Sequence, residues 1–222
     1  MGDTGAPGAR PLRGLLVDYG GVMTSSMGRA FAAFAVESGV DPERFKAVIE
    51  EAYGPGGGDP DGMVARIETG RMPVVEFERW LAERLSEGRL EPLDPAGFKD
   101  RLFAGMVADE TMVRAVARAR AAGIRTGLVS NSWGNAGYER SRFGELFDAV
   151  VISAEVGLRK PEPDIYLLAA ERIGLAAREC VFVDDLLHNA DGARAVGMEA
   201  LVHRSAEFTI PRLETLLGVA LR

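Results

Sequence analysis

The stretch Leu15-Leu16-Val17-Asp18-Tyr19-Gly20-Gly21-Val22 decides the fold. An apolar run of strand type stops at a single aspartate, and a flexible glycine turn follows. An acid at the carboxyl end of a strand points into the crevice where open α/β sheets bind ligands. Asp18 is therefore a candidate nucleophile. Two residues on, where a second acid could stand, the chain has Gly20.

Outward from this strand, four more short apolar runs occur at 125–131, 149–154, 180–184 and 199–203. Each follows a helical pattern, at 113–122, 137–147, 164–173 and 189–196. Three of these patterns close at a glycine: Gly123, Gly174 and Gly197. Helices ended by glycine and followed by short strands predict βαβ units and a parallel sheet. Right-handed crossovers then bring every strand's carboxyl end to one edge. The expected class is α/β, a Rossmann-like doubly wound core.

Residues 24–105 break the rhythm and read as helices only, at about 27–38, 41–53, 62–70, 74–87 and 95–106. The joints are rich in Gly and Pro, most of all at 54–62. Phe77, Trp80, Leu81 and Leu85 recur at helical period and predict the apolar face of an α-helical cap. The expected division is a loose tail at 1–11, a core from 12–23 and 106–222, and a cap at 24–105.

The chain has 222 residues and a net charge of −7, with 47% hydrophobic and 27% charged residues. A sequence pI of about 5.1 argues against nucleic acid or an anionic membrane as partner. No run reaches the roughly 18 apolar residues of a membrane span. Cys180 is the single cysteine, so no internal disulfide forms, and the expected compartment is the cytoplasm. His188 and His203 stand too far apart to form a metal pair. Trp133 is expected in the wall between core and cap.

Four strand ends carry polar residues that can converge: Asp18; Ser130-Asn131-Ser132-Trp133; Arg159-Lys160-Pro161-Glu162-Pro163-Asp164; and Asp184-Asp185, followed by Asn189. Taken together and in this order, these four segments resemble the motifs of the haloacid dehalogenase superfamily. The resemblance runs from Leu12 onward. The second and third segments are most similar to the phosphatase-type domain fused to some epoxide hydrolases.

The resemblance implies a hydrolase acting on a small phosphorylated metabolite with Mg²⁺. A phosphate monoester and a carboxylate nucleophile repel one another unless a cation lies between them. The resemblance implies that Asp18, Asp184 and the Gly20 carbonyl hold the metal, with Asp185 as a direct ligand or an acceptor orienting its water. Asp18 would take the phosphoryl group and pass it to water, and Lys160 would supply fixed positive charge. Ser130, Asn131 and Gly21 are expected to contact the phosphate. Asn189 is expected at the substrate side, orienting the acidic loop. Monomer and homodimer are both compatible with the sequence.

Gly20 departs from the family's phosphatases, which normally carry a second aspartate there as general acid–base. Three readings stay open: a phosphatase without that acid, a 2-haloacid dehalogenase whose halide needs no protonation, and a binding or partner module whose chemistry has faded. The acid pair Asp184-Asp185 and the lack of a matching cap arginine weigh against the second. Retention of Asp18, Lys160 and Asp184 weighs against the third.

Overall fold

The computed structural model describes residues 11–54, 59, 61–134 and 137–222. Residues 1–10 of the tail expected at 1–11 and the joint residues 55–58 and 60 lie outside the described residues.

Five parallel strands form one sheet in the order β3-β2-β1-β4-β5. They are β1 (Gly14–Val17), β2 (Arg125–Ser130), β3 (Ala149–Ile152), β4 (Cys180–Asp184) and β5 (Glu199–Val202). Each of the four outer runs is the expected strand, with ends trimmed by up to two residues. β1 is central, pairing β2 on one side and β4 on the other. Strand order reverses at β1, so the crevice of a doubly wound sheet opens at its carboxyl end.

Alternation along β1 divides the core into two layers. Leu15 and Val17 face helices α6 (Glu110–Ala121) and α11 (Ala206–Leu217), where Val181, Val183 and Leu213 join them. Leu16 faces the opposite way, with Val129, Phe182, and residues of α9 (Pro163–Arg172) and α10 (Leu187–Ala195). All four residues of β1 are buried, which explains its unbroken apolar sequence. Each such aliphatic side chain contributes about 1.5–3 kcal/mol relative to exposure.

Between β1 and α6 the described residues form five α-helices: α1 (Met27–Glu37), α2 (Pro42–Tyr53), α3 (Met63–Glu68), α4 (Val74–Ser86) and α5 (Phe98–Phe103). They have their own core, including Phe34, Phe45, Phe77, Leu81 and Phe98. Trp133 of the sheet layer belongs to this cluster, with its ring 4.9 Å from that of Phe77. Asp41 caps α2 by accepting from Arg44 N at 2.9 Å, with Pro42 at the first helical position. The two chain crossings between this insertion and the sheet run side by side. Ser25 N donates to Val107 O, and Asp109 N donates to Met23 O, both at 2.8 Å.

Two differences from the sequence patterns have physical causes. The helix expected at 137–147 is reduced to a 3₁₀ turn at Arg140–Arg142 and the short α7 (Phe143–Leu146). Gly137 has φ +100°, outside helical space, and Tyr138 turns toward the strand ends instead. Conversely, α11 has no counterpart in the sequence patterns, because Pro211 sits inside it, where it removes a helical N–H. A further short helix, α8 (Ser153–Val156), directly follows β3. Among the described residues, no helix is long and apolar enough to cross a membrane.

Gly127 of β2 provides a direct check on this packing. A Cβ there would lie 2.7 Å from Leu16 Cδ2 and 3.2 Å from Ile173 Cγ2. Gly127→Ala should therefore destabilise the chain by about 1–3 kcal/mol, read as a lower urea midpoint. An unchanged midpoint would refute this account of the layer.

Candidate active site

Two strand ends and one loop meet at a single buried ion cluster. Asp18 follows β1, Asp184 ends β4, and Lys160 comes from the loop between α8 and α9. Lys160 Nζ lies 2.7 Å from Asp18 Oδ1 and 2.7 Å from Asp184 Oδ2. Relative exposures are 1% for Lys160, 0% for Asp184 and 8% for Asp18, so bulk water does little to screen these charges. Ligand oxygens of Asp18, Asp184 and Asp185 lie within 4.8 Å of one another.

The two buried aspartates differ in how they are satisfied. Asp184 Oδ1 accepts from Leu186 N at 2.9 Å and Asn189 Nδ2 at 3.0 Å. Its Oδ2 accepts from Asn189 Nδ2 at 3.1 Å as well as from Lys160. Asp18 receives only the lysine among the described residues. Burial pushes the Asp18 carboxyl up to about 7; Lys160 opposes this, and Asp184 and Asp185 reinforce it. Burial also pushes Asp185 up to about 6, helped by Asp184 and opposed by Lys160. For Lys160, burial favours the neutral amine, but the two carboxylates outweigh it and keep the group protonated. Three carboxylates around one ammonium leave excess negative charge. Hard oxygen donors with unmet negative charge fit a small divalent cation such as Mg²⁺.

Ser130, at the end of β2, is buried, and its Oγ is 2.9 Å from Tyr138 Oη. Asn131 follows it, and its side chain clamps the lysine loop. Asn131 Nδ2 donates to Lys160 O at 3.0 Å, and Asn131 Oδ1 accepts from Lys160 N at 2.8 Å. Asn189 lies on α10, with its amide against the Asp184 carboxylate rather than out in the open crevice. Gly21 has φ +79°, and its α-carbon backs onto the Asp185 carboxylate, where any side chain would collide.

Gly20 is different, because nothing in the backbone requires glycine there. Its φ is not among the positive ones. A Cβ would lie 3.5 Å from Met27 Sδ and 3.7 Å from Met106 Cε, which is ordinary contact. The absence of a second acid is thus a chemical feature of the site rather than a steric one.

Three residues near the site do not stand out in the sequence. Tyr138 reaches Ser130 from a loop whose pattern reads as helix. Arg159 stands beside Lys160 and pairs with Glu68 of α3, Nε to Oε2 at 2.8 Å. Glu68 is a charged residue at the end of a short helix, a position where sequence periodicity predicts solvent, yet it is buried. No pattern within either segment signals a pairing across 91 positions.

Residues 12–197 match the family model described as haloacid dehalogenase-like hydrolase. Bifunctional epoxide hydrolase 2 of Sus scrofa is 27% identical over 232 residues, covering 95% of this chain. The chain spans only 40% of that protein's length. Phosphatase MT3486 of Mycobacterium tuberculosis is 30% identical over 148 residues, covering 64% of this chain and 66% of its own. Among solved structures, the HAD family enzyme bt-2542 of Bacteroides thetaiotaomicron, in complex with magnesium and inorganic phosphate, superposes with a TM-score of 0.61. It shares 20% identity, over 87% of this chain and 94% of that one, a likeness of fold. With the family model covering most of its length, and the parallel sheet and its strand-end acids in place, this chain belongs to the haloacid dehalogenase-like hydrolases.

Proposed function

We propose that the chain is a Mg²⁺-dependent phosphatase of a small phosphorylated metabolite, acting through a phosphoryl group carried on Asp18. The observation that carries this reading is the under-neutralised cluster of Asp18, Asp184 and Asp185 around the buried ammonium of Lys160. Relatives that include a phosphatase support it.

Asp18 is the nucleophile because its carboxylate is the less encumbered of the two buried ones. Its oxygen forms a bond to phosphorus as the bond to the leaving oxygen breaks; water then attacks phosphorus and frees the carboxylate. Lys160 opposes protonation of Asp18 and faces the negative oxygens of the transferring group. In this reading Ser130 Oγ and the Asn131 N–H donate to those oxygens. Asn189 and the Leu186 N–H hold Asp184 in orientation. A bound Mg²⁺, held by Asp18, Asp184, the Gly20 carbonyl and Asp185 directly or through water, would supply the remaining positive charge opposite the phosphate. Helices α1 to α5 act as a cap, residues 24–105, over a core of 12–23 and 106–222, and exclude bulk water when closed. The hinges are the paired crossings near Ser25 and Gly105.

With no acid at Gly20, nothing on that strand end protonates the leaving oxygen. Substrates whose leaving oxygen is already stabilised, such as sugar 1-phosphates and acyl phosphates, suit the site best. A 2-haloacid is disfavoured at a metal-free site, since its carboxylate would meet the excess negative charge of the cluster with no cation between them.

Phosphate release from a metabolite panel should require Mg²⁺, stop in EDTA and vanish in Asp18→Asn. Turnover that survives Asp18→Asn would overturn the mechanism. In metal-free protein the same substitution should raise stability. Asp18 titrates near 7 when folded against an ordinary value of 3.8, so the folded state holds a proton that the unfolded chain lacks. Stability of the wild type therefore falls as pH rises from about 4 to about 7, while the Asp18→Asn protein lacks this dependence. The stability advantage of Asp18→Asn in EDTA should grow as pH rises across that window. A constant difference would contradict the charge assignment. Finally, Gly20→Asp should speed turnover of simple alkyl phosphates, toward the roughly 10²–10⁴-fold that a general acid–base supplies. A variant no faster than wild type would show that the missing acid is not the limitation.

A further inference from the structure

Glu68 is 4% exposed and Arg159 7%. A buried ion pair is weak evidence for stability, since apolar residues of similar volume often serve as well. The bonds around this pair give it another role. Glu68 Oε2 accepts twice, from Arg159 Nε at 2.8 Å and from Asn131 Nδ2 at 3.2 Å. Asn131 spends its carbonyl oxygen and one N–H on the backbone of Lys160. Its second N–H goes to Glu68, which fixes the rotation of the amide. The chain of contacts therefore runs from the helical insertion to the reacting carboxylate: Glu68, Asn131, Lys160, Asp18. The insertion comes close to the sheet layer at the same place, for a Cβ on Gly70 would lie 2.7 Å from Ala154 O.

We propose that Glu68 is a positioning residue: docked on the sheet, it locks the Asn131 amide and so fixes the Lys160 backbone from which the ammonium reaches Asp18 and Asp184. The inference rests on the catalytic reading of Lys160. Because Glu68 acts through the lysine, its loss slows chemistry on every substrate alike and leaves binding unchanged.

Two double variants isolate the acceptor. Glu68→Met with Arg159→Met removes both charges and the acceptor for Asn131. Glu68→Gln with Arg159→Met removes both charges but keeps an oxygen at that place. Both pairs avoid leaving one charge buried alone, and their melting temperatures should agree. On p-nitrophenyl phosphate and on an alkyl phosphate, the Met/Met protein should lose about 10- to 100-fold in kcat with KM nearly unchanged, the scale expected for misplacement by up to about 1 Å. The Gln/Met protein should keep most of its kcat. Crystal structures should show Lys160 Nζ displaced from Asp18 or Asp184 only in the Met/Met protein. Equal kcat values in the two proteins, or a KM effect confined to one substrate, would overturn the proposal. A wild type without turnover would overturn the phosphatase reading alone if the lysine still moves in the Met/Met crystal. If the lysine stays in place there, the positioning role falls too.

Discussion

One buried ammonium shared by two carboxylates organises this molecule. Lys160 Nζ stands 2.7 Å from both Asp18 and Asp184, with almost no access to water. Each of those charges costs several kcal/mol to desolvate alone, and removing the ammonium would leave both carboxylates buried without a counter-charge. The fold must therefore bring three separate chain segments to one point with sub-ångström consistency. It does so with a parallel sheet whose central strand is β1. The two aspartates end on neighbouring strands, and the lysine loop closes over them.

The arrangement divides labour between two acids of identical chemistry. Asp184 is saturated by a backbone N–H, the Asn189 amide and the lysine, and so acts as a fixed wall. Among the described residues Asp18 has the lysine alone, and burial leaves its negative charge poorly compensated. A buried, poorly compensated carboxylate of this kind marks Asp18 as the candidate reacting group. Gly20 extends the same logic, because it holds space for a side chain but supplies none, so the site offers charge neutralisation without a proton donor.

Much of this is legible in the sequence, and the exceptions have common causes. The strand ends carrying Asp18, Ser130 and Asp184 stand out because an apolar run stops abruptly at a polar residue. The five helices of the insertion stand out through periodic faces such as Phe77 and Leu81 with their Gly- and Pro-rich joints. α11 is hidden by Pro211, and the segment before β3 looks helical although Gly137 forbids it. The link from Glu68 to Arg159 and Asn131 is beyond any local pattern, since it joins a helix end in the insertion to loops far along the chain. Asn131 shows the limit well. The resemblance implies a phosphate contact for it, while its side chain is committed to the backbone of Lys160.

The central claim is that Asp18 bonds covalently to the phosphoryl group. The most direct measurement is acid quenching of the protein during turnover of a phosphorylated substrate, followed by peptide mapping by mass spectrometry. The account predicts one phosphoryl group on the peptide containing Asp18, absent when the quench precedes substrate. A phosphoryl group on another residue, or none at all during steady turnover, would contradict it.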